Sequence, residues 1–368
     1  MAAVIFLMNR KEKIAMIKND IKWKEFFLED VVTIGNGVRL TKSDMEDGDT
    51  PFIGASEMNN GITAYCSNRN GSYDNNLLGV NYNGSVGFSF YHPYYALFSD
   101  DVKRVKWKDT SKNNKYTLLF LAVSVQAQKD KYAYGYKFNS QRMKRQKILL
   151  PINDKNEPDF AFMEAYLRAK EQDILKQTIK ILNKHLTTIK TLGDSPYRKE
   201  WKDFVFGKAF SIESTNSSID RIKLTVGNGE IPYITRSDTN NGIDSFILEQ
   251  SKYEIDEGNV ITIGLDTQTV FYQSKPFYTG QNIQIVRHPK LDKFNAIFLV
   301  VAIKKLVSKF SWGGYGATLT RLRKSKIYLP IDQDGEIDFE FMSTFMQRIE
   351  QDILRKTLHI LKSKLSLT

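Results

Sequence analysis

Two segments of the chain place lysines and arginines among aromatic residues, a combination suited to a polyanion. The first runs from Lys129 to Arg145, and the second begins at Lys304 and ends at Lys324. Cations neutralise phosphates, while aromatic, amide and hydroxyl groups between them reach sugars and base edges. One such segment alone would also fit a solvated basic face beside a glycine turn, but its recurrence favours DNA binding.

We predict DNA contacts from the charged, aromatic and polar side chains of these segments. The predicted residues are Lys129, Lys131, Tyr134, Tyr136, Lys137, Asn139, Arg142, Lys144, Arg145, Lys309, Trp312, Tyr315, Thr318, Arg321, Arg323 and Lys324. Residues 54–60 and 235–241 form a second candidate surface, since Asn and Arg suit adenine and guanine. Turn chemistry alone explains the Asn-Gly pairs there, so Arg236 is the contact that we predict in this surface.

The remaining motifs do not support catalysis. A DNA methyltransferase would show a glycine-rich cofactor loop and a Pro-Pro-aromatic tetrad, but the nearest string, residues 194–197, has one proline and is typical of a turn. A nuclease site assembled from Pro158-Asp159 and Glu200-Trp201-Lys202 has simpler explanations, because Asp159 suits a helix cap. One cysteine and four scattered histidines do not make a zinc cluster. We predict a binding protein without a cofactor of its own.

Composition is consistent with a binder of polyanions. Lys and Arg outnumber Asp and Glu by 53 to 42, giving a formal charge of +11 and a pI near 9.3. Cys66 has no partner for a disulfide, and Arg10 and Lys11 follow the apolar start rather than precede it, unlike a signal peptide. No apolar run of about 18 residues predicts a membrane span. We expect a cytoplasmic protein.

The basic segments belong to two diverged copies of one unit. Residues 147–152 (KILLPI) recur 179 positions later as 326–331 (KIYLPI), and residues 171–175 are identical to 350–354. Trp23-Lys24 likewise corresponds to Trp201-Lys202. Self-similarity of this length indicates internal duplication.

Within each copy, short strands and turns precede the Leu-Pro-Ile motif. Apolar spacings of three and four predict helices at Leu118–Gln128 and Phe294–Leu306. Asn-Gly turns separate the strands. The pattern predicts an α+β fold.

A long helix is predicted after each Leu-Pro-Ile motif, with Asp159 and Asp338 as N-caps. Apolar residues recur by sevens along both helices, and we predict that they pair the helices as an antiparallel coiled-coil spacer. The pairing residues are Leu167, Ile174, Ile181, Met346, Ile353 and Ile360. In the alternative, each helix packs on its own domain.

These landmarks resemble the specificity subunit of Type I restriction-modification systems, and the closely similar S subunit of Type IIB/IIG enzymes. The resemblance implies two tandem mixed α/β target-recognition domains, each followed by a spacer helix. The expected division is an N-terminal extension (1–21), a first target-recognition domain (22–152), a first spacer helix (153–192), a linker (193–200), a second target-recognition domain (201–331) and a second spacer helix (332–368).

The resemblance also implies the function and the partners. Each domain would read one half of a bipartite double-stranded DNA target, and the helices would dock methyltransferase subunits, two per complex. Restriction and motor subunits would join in Type I systems. S-adenosylmethionine, ATP and Mg would be bound by those partners, and this chain would be a non-catalytic subunit. The alternative from another class is a protein-interaction scaffold whose paired helices assemble partners without reading DNA.

Overall fold

The computed structural model describes residues 21–132, 138–189, 199–225, 227, 229–310 and 317–367. The chain divides into two compact units, the first up to Gln177 and the second from Thr178 to Ser366. The predicted N-terminal extension up to Asp20 and residues 193–198 of the predicted linker lie outside the described residues.

The first unit is built from short strands and four helices of very different lengths. Its described strands are β1 (Lys22–Phe27), β2 (Val32–Asn36), β3 (Thr50–Ile53), β4 (Ile62–Cys66), β5 (Leu77–Asn81), β6 (Ser89–His92), β7 (Leu97–Phe98), β8 (Val102–Trp107) and β9 (Lys147–Ile152). Its described helices are α1 (Leu28–Val31), α2 (Lys115–Gln126), α3 (Ser140–Arg145) and α4 (Phe160–Thr188), of which the last turns belong to the second unit.

The second unit repeats the same order of elements. Its described strands are β10 (Trp201–Val205), β11 (Ser211–Ser214), β12 (Ile231–Ile234), β13 (Ile243–Ile247), β14 (Val260–Gly264), β15 (Val270–Gln273), β16 (Tyr278–Thr279), β17 (Ile283–Arg287) and β18 (Lys326–Pro330). Its described helices are α5 (Phe206–Ala209), α6 (Lys293–Val307), α7 (Leu319–Lys324) and α8 (Phe339–Leu367).

The strands form three small sheets in each unit, with matching topology. The sheet orders in the first unit are β1-β9, β2-β8-β5-β6 and β4-β3-β7, and those in the second are β10-β18, β11-β17-β14-β15 and β13-β12-β16. The central strands β5 and β14 are buried along their whole length, as expected for strands covered on both faces. The predicted α+β fold is confirmed.

An antiparallel ribbon joins the two ends of each unit. Trp23 pairs with Pro151 in β1-β9, and Trp201 pairs with Pro330 in β10-β18. The Trp-Lys start and the Leu-Pro-Ile end, far apart in sequence, are therefore neighbouring strands. The helices α3 and α7 directly precede the last strand of each unit, and the long helices follow that strand.

The helices that cover the four-stranded sheets begin at matching capping boxes. The Asn114 side chain accepts hydrogen bonds from the Tyr116 and Thr117 amides, and the Asp292 side chain accepts them from the Phe294 and Asn295 amides. Such caps satisfy amides that have no partner inside a helix. The helix predicted at Phe294–Leu306 is confirmed within α6, and the one predicted at Leu118–Gln128 is confirmed up to Gln126, where α2 ends and a turn begins.

The long helices begin where the sequence predicts. Asp159 Oδ1 accepts from the Phe162 amide at 2.9 Å, and Asp338 Oδ1 accepts from the Phe341 amide at 2.8 Å. Both N-cap predictions are confirmed, and each helix extends for 29 residues. No described helix combines the length and the apolar character needed to cross a membrane.

The first half of each long helix packs on its own unit. In the first unit, Glu171 accepts hydrogen bonds from Lys115 and from the Tyr116 hydroxyl. In the second unit, Lys293 lies 3.1 Å from the matching carboxylate, Glu350. The same lysine–glutamate pair therefore holds both helices to the units that precede them.

One buried histidine distinguishes the two units. His92 in β6 is fully buried against Phe98, its Nδ1 lies 3.2 Å from the Tyr94 hydroxyl, and no described group bonds its Nε2. Burial lowers the pKa of His92 to about 4. The matching residue in β15, Gln273, instead donates to the Asn241 carbonyl and the Thr262 hydroxyl.

We expect the first unit to lose stability as the pH falls from 6.5 towards 4. The unfolded His92 takes up a proton near its ordinary pKa of 6.5, whereas the folded side chain stays neutral until about pH 4. This difference destabilises the folded unit by about 2 kcal/mol between pH 7 and pH 5. The substitution H92Q introduces the side chain found at Gln273 in the second unit. It should make the free energy of unfolding nearly independent of pH between pH 7 and pH 5, as measured by urea unfolding at a series of pH values.

The control for this prediction is H359Q, which removes an exposed imidazole from α8. It should leave the pH profile of unfolding as in the original chain. A slope between pH 7 and pH 5 that survives H92Q would show that His92 is not its source.

Candidate nucleic-acid interface

A short basic helix precedes the last strand of each unit. The Asn139 side chain accepts from the Arg142 amide at 3.0 Å at the start of α3, and the Thr318 hydroxyl accepts from the Arg321 amide at 3.4 Å at the start of α7. These bonds satisfy free amides of the first turn. Asn139 and Thr318, both predicted DNA contacts, therefore also fix where the basic helices begin.

Each basic helix turns one apolar residue inward and its cations outward. Met143 in α3 and Leu322 in α7 are buried in the cores of their units. The exposed cations are Lys144, Arg145, Arg323 and Lys324, and the half-buried ones are Arg142 and Arg321. All six were predicted as DNA contacts, and the structure brings three of them together on each helix.

Arg323 also has a structural contact. Its guanidinium donates from Nε, at 3.1 Å, and from Nη2 to the carbonyl of Ile212 in β11. A Cβ on Gly207 would lie 2.7 Å from the Cβ of Arg323, so α5 and α7 pack without a side chain between them at this point. Arg323 thus ties α7 to the four-stranded sheet.

The predicted lysines at the start of each basic segment are exposed. Lys129 lies with its Nζ 5.0 Å from the centre of the Phe88 ring, and Lys131 donates to the Gln128 side chain at 2.6 Å. In the second unit Lys309 lies 5.4 Å over the Phe310 ring. The remaining predicted contacts, Tyr134, Tyr136, Lys137, Trp312 and Tyr315, lie outside the described residues.

A β-hairpin loop joins the turn and the basic segment in the first unit. This loop, residues 82–88, connects β5 to β6, and its Ser85 amide donates to the Ala55 carbonyl at 3.4 Å. The Asn81 side chain donates to the Ser56 carbonyl at 3.0 Å. At the other side of the loop, a Cβ on Gly87 would lie 2.7 Å from the Cβ of Lys129. The turn, the hairpin loop and Lys129, where the basic segment begins, therefore form one edge.

The second unit has the same three-segment edge, with different side chains. Its hairpin loop, residues 265–269, connects β14 to β15, and Asp266 forms an ion pair with Arg236 of the turn. Gln268 in this loop donates to the Phe310 carbonyl, where the basic segment begins. We use the term reading edge for the described residues of these three segments in each unit: 54–58, 82–88, 129–132 and 138–145 in the first, and 235–239, 265–269, 309–310 and 317–324 in the second.

Sequence patterns identify two segments of the reading edge and miss the hairpin loops. The Asn83-Gly84 pair in the first loop is visible in the sequence, but it indicates only a turn. The loop in the second unit has no comparable signal. Its place beside the turn and the basic segment depends on pairing between strands distant in sequence, β5 with β8 and β14 with β17.

The isoleucines predicted to pair the long helices are exposed. Ile174, Ile181, Ile353 and Ile360 are between 55% and 67% exposed, whereas the neighbouring Leu175 and Leu354 are buried. Leu167 packs against the core of the first unit. The structure therefore differs from the prediction in the residues that face inward. A seven-residue spacing predicts the period of an apolar stripe but not its position on the helix. Packing against each unit and the lysine–glutamate pairs determine that position.

Within the second unit, the end of α4 approaches α8. Residues 178–188 belong to this unit, and His185 Nε2 lies 3.5 Å from Glu350 Oε1. Glu350 also faces Lys293 of α6, so three helices meet at this carboxylate. Through this contact the end of α4 touches α8.

A groove of about 600 Å³ opens on the second unit between β10, β18, α6 and α8. Trp201 stacks on Tyr328 and Phe298 in its floor, with ring centres 5.5 and 6.0 Å apart. Lys305, Lys309 and Lys326 also line it. An apolar floor with lysines around it suits a protein surface better than a phosphate chain.

The described side chains of the reading edges suit contacts with nucleic acid. Cations, amides and hydroxyls line both reading edges. Among the residues that the structure describes, no three His, Cys, Asp or Glu side chains are grouped so that they could hold a metal ion. The side chains present can neutralise phosphates and form hydrogen bonds with base edges.

Comparison with known proteins finds the same family twice along the chain. The family described as Type I restriction modification DNA specificity domain matches residues 20–183 and again residues 198–357. The two matches fall on the two copies that the sequence and the strand topology show.

One curated relative is the specificity subunit S.BcgI of the Type II restriction enzyme BgcI from Heyndrickxia coagulans. It is 54% identical over 159 residues, which are 43% of this chain and 46% of the relative. The chain therefore matches about half the length of this relative.

Solved structures of S subunits also align over most of the chain at low sequence identity. The S subunit of a Type I restriction-modification system from M. genitalium has a TM-score of 0.49 and 14% identity, covering 95% of this chain and 93% of that one. The HsdS subunit from Thermoanaerobacter tengcongensis has a TM-score of 0.30 and 11% identity, covering 93% of this chain and 91% of that one.

The substitution R323A should destabilise the second unit by about 1–3 kcal/mol, because it leaves the Ile212 carbonyl without its charged donor. The neighbouring K324A removes an equal charge from the exposed face of α7 and should change stability by less than about 0.5 kcal/mol. Urea unfolding of both variants measures the difference. Equal stability of the two would show that the Ile212 contact does not support the fold.

Proposed function

Since this chain belongs to the family of Type I restriction modification DNA specificity domains, we propose that it is the DNA-reading subunit of a restriction-modification complex. Each unit would read one half of a bipartite double-stranded DNA target. The repeated reading edge supports this proposal most directly, because in both units the start of a basic segment, at Lys129 or Phe310, contacts a hairpin loop that also contacts the turn.

The reading edge has the two kinds of side chain that sequence-specific DNA binding needs. Exposed Lys144, Arg145 and Lys324 suit phosphates, which position the protein without reading sequence. The turns and hairpin loops offer Asn, Ser, Thr, Gln and Arg, whose hydrogen bonds distinguish bases. The formal charge of +11 favours the approach of DNA in general.

We assign residues 22–152 and 201–331 to the two target-recognition domains, and residues 153–192 and 332–368 to the spacer helices, with 193–200 as the linker. Each long helix has 29 residues, which corresponds to roughly 44 Å at 1.5 Å per residue. Antiparallel pairing of rods of this length would set a fixed gap between the two half-sites. The approach of His185 to Glu350 supports such pairing.

The partners in this proposal are methyltransferase subunits, two per complex, joined by restriction or motor subunits in a Type I setting. They would bind S-adenosylmethionine, and ATP and Mg where a motor is present, so that this chain contributes recognition and no catalysis. The exposed Ile353 and Ile360, one heptad apart on α8, and the apolar groove beside Trp201 support a docking role, because exposed apolar surface favours a protein partner.

Mapping of methylated adenines tests the proposal directly. The chain is co-expressed with the methyltransferase encoded beside it, and modified positions are read across the host genome. We expect one split motif, with two short specified halves and a gap of constant length. Methylation of a single unbroken motif would contradict the assignment of one half-site to each unit.

Exchange of residues 22–150 for the matching domain of a relative should change one half of the motif and leave the other half and the gap unchanged. The reason is that each unit has its own core and its own reading edge. The same genome-wide mapping measures the outcome. A change in both halves would show that the units do not read independently.

The double variant K144A/R145A should weaken DNA binding and reduce the slope of log K against log salt by about 1.8, since each phosphate contact contributes about 0.9. Binding of the purified complex to a duplex carrying the mapped motif is measured between about 50 and 200 mM salt. The control K108A/K155A removes two exposed lysines outside the reading edge. Lys108 follows the last residue of β8, and Lys155 lies after the end of β9 that is far from α3. Identical slopes for the two double variants would exclude α3 from the phosphate contacts.

A further inference from the structure

We propose that Arg236, held in place by Asp266, reads a guanine in the half-site of the second unit. This inference rests on the proposed function and makes it specific to one residue and one kind of base. Asp266 would be a positioning residue, and Arg236 would be the residue that contacts the base.

The geometry leaves the pair both fixed and accessible. Arg236 Nη1 donates to Asp266 Oδ2, which joins the turn after β12 to the hairpin loop after β14. The two side chains are 41% and 32% exposed, so their polar ends can be reached from solvent. The Cγ of Arg236 lies over Gly264, where a Cβ would be 3.4 Å away.

A second hydrogen bond fixes the carboxylate itself. Asn282, in the turn before β17, donates from Nδ2 to Asp266 Oδ2 at 3.2 Å. Asp266 is thus held between Asn282 and Arg236, and the guanidinium has a defined direction. A guanidinium that is ordered before binding loses less conformational entropy when it forms two parallel hydrogen bonds.

Comparison of the two units shows that the carboxylate lies on the hairpin loop where the turn carries an arginine. The matching positions there are Ala55 in the turn, Asn83 in the hairpin loop and Asp101 before β8. Asn83 donates to Asp101 Oδ1 at 2.9 Å, so an amide–carboxylate bond joins the same two segments with the two groups exchanged. Either arrangement of amide and carboxylate fixes the hairpin loop against the turn before β8 or β17. The carboxylate is on the loop only in the unit whose turn carries an arginine.

The charge of the pair favours a base over a phosphate. Arg236 and Asp266 together are neutral, so they add little to the general attraction of DNA. Arginine presents a planar fork that matches O6 and N7 of guanine in the major groove. Asp266 engages one terminal nitrogen of Arg236, and the guanidinium carries further N–H donors for a base edge.

The test compares methylation motifs of the complex formed by the original chain with those of R236A, R236K and D266N. In R236A and R236K, one G·C pair of one half-site should lose its discrimination by roughly 10- to 100-fold, while the other half-site and the gap stay unchanged. R236K keeps the charge but not the planar fork, so it separates base reading from phosphate attraction. D266N should relax the same position to a smaller extent.

The matched control is R221A, which removes an exposed, aspartate-paired arginine from the same unit but outside the reading edge. It should leave every position of the motif unchanged. Loss of the same G·C preference in R221A would overturn the inference, because the effect would not be specific to Arg236.

The outcomes separate this inference from the proposed function. A split motif that keeps all its G·C positions in both R236A and R236K overturns the role of Arg236 and leaves the DNA-reading function intact. Absence of any split motif with the original chain overturns the proposed function itself. Thermal unfolding of the variants identifies misfolding, and R236K, with the least change in size and charge, then decides the inference.

Discussion

The pairing of the first strand of each unit with its last is the constraint on which the rest of the structure depends. In β1-β9 and in β10-β18 the backbone hydrogen bonds join residues more than about 120 positions apart, so each unit is closed by its own ends. The basic helix precedes the last strand of each unit, and the long helix follows that strand. A six-residue strand such as β9 is roughly 20 Å long, which separates the region suited to DNA from the region suited to spacing.

Local patterns in the sequence predict much of this arrangement, because helices and caps depend on neighbouring residues. Asp159 and Asp338 stand where the long helices need an acceptor, and the apolar spacing after Asn114 and Asp292 predicts α2 and α6. Non-local contacts are what the sequence does not show. The hairpin loop at 82–88 joins the reading edge through strand pairing, and Arg323 is directed to Ile212 by packing between elements 111 positions apart.

Duplication followed by divergence explains which features the two units share. The strand order, the capping boxes and the lysine–glutamate pair at the base of each long helix recur, since all of them maintain the fold. Buried positions such as His92 and Gln273, and edge positions such as Ala55 and Arg236, have changed. A sheet that fixes the backbone of the loops tolerates such exchange, because loop side chains contribute little to the core. Divergence at the reading edge is what two modules with different targets require.

Glu350 and Ser343 fix the base of α8 on the second unit, and the buried Leu354 and Leu358 continue this packing along the helix. The 17 residues from Gln351 to Leu367 span roughly 25 Å. A tilt of about 8° at the base would move the far end by about 3.5 Å, close to the rise of about 3.4 Å per base pair of DNA. Small errors in angle would therefore shift the far end by one whole base-pair step, so the packing of these four side chains limits how strictly the proposed spacer could set a separation.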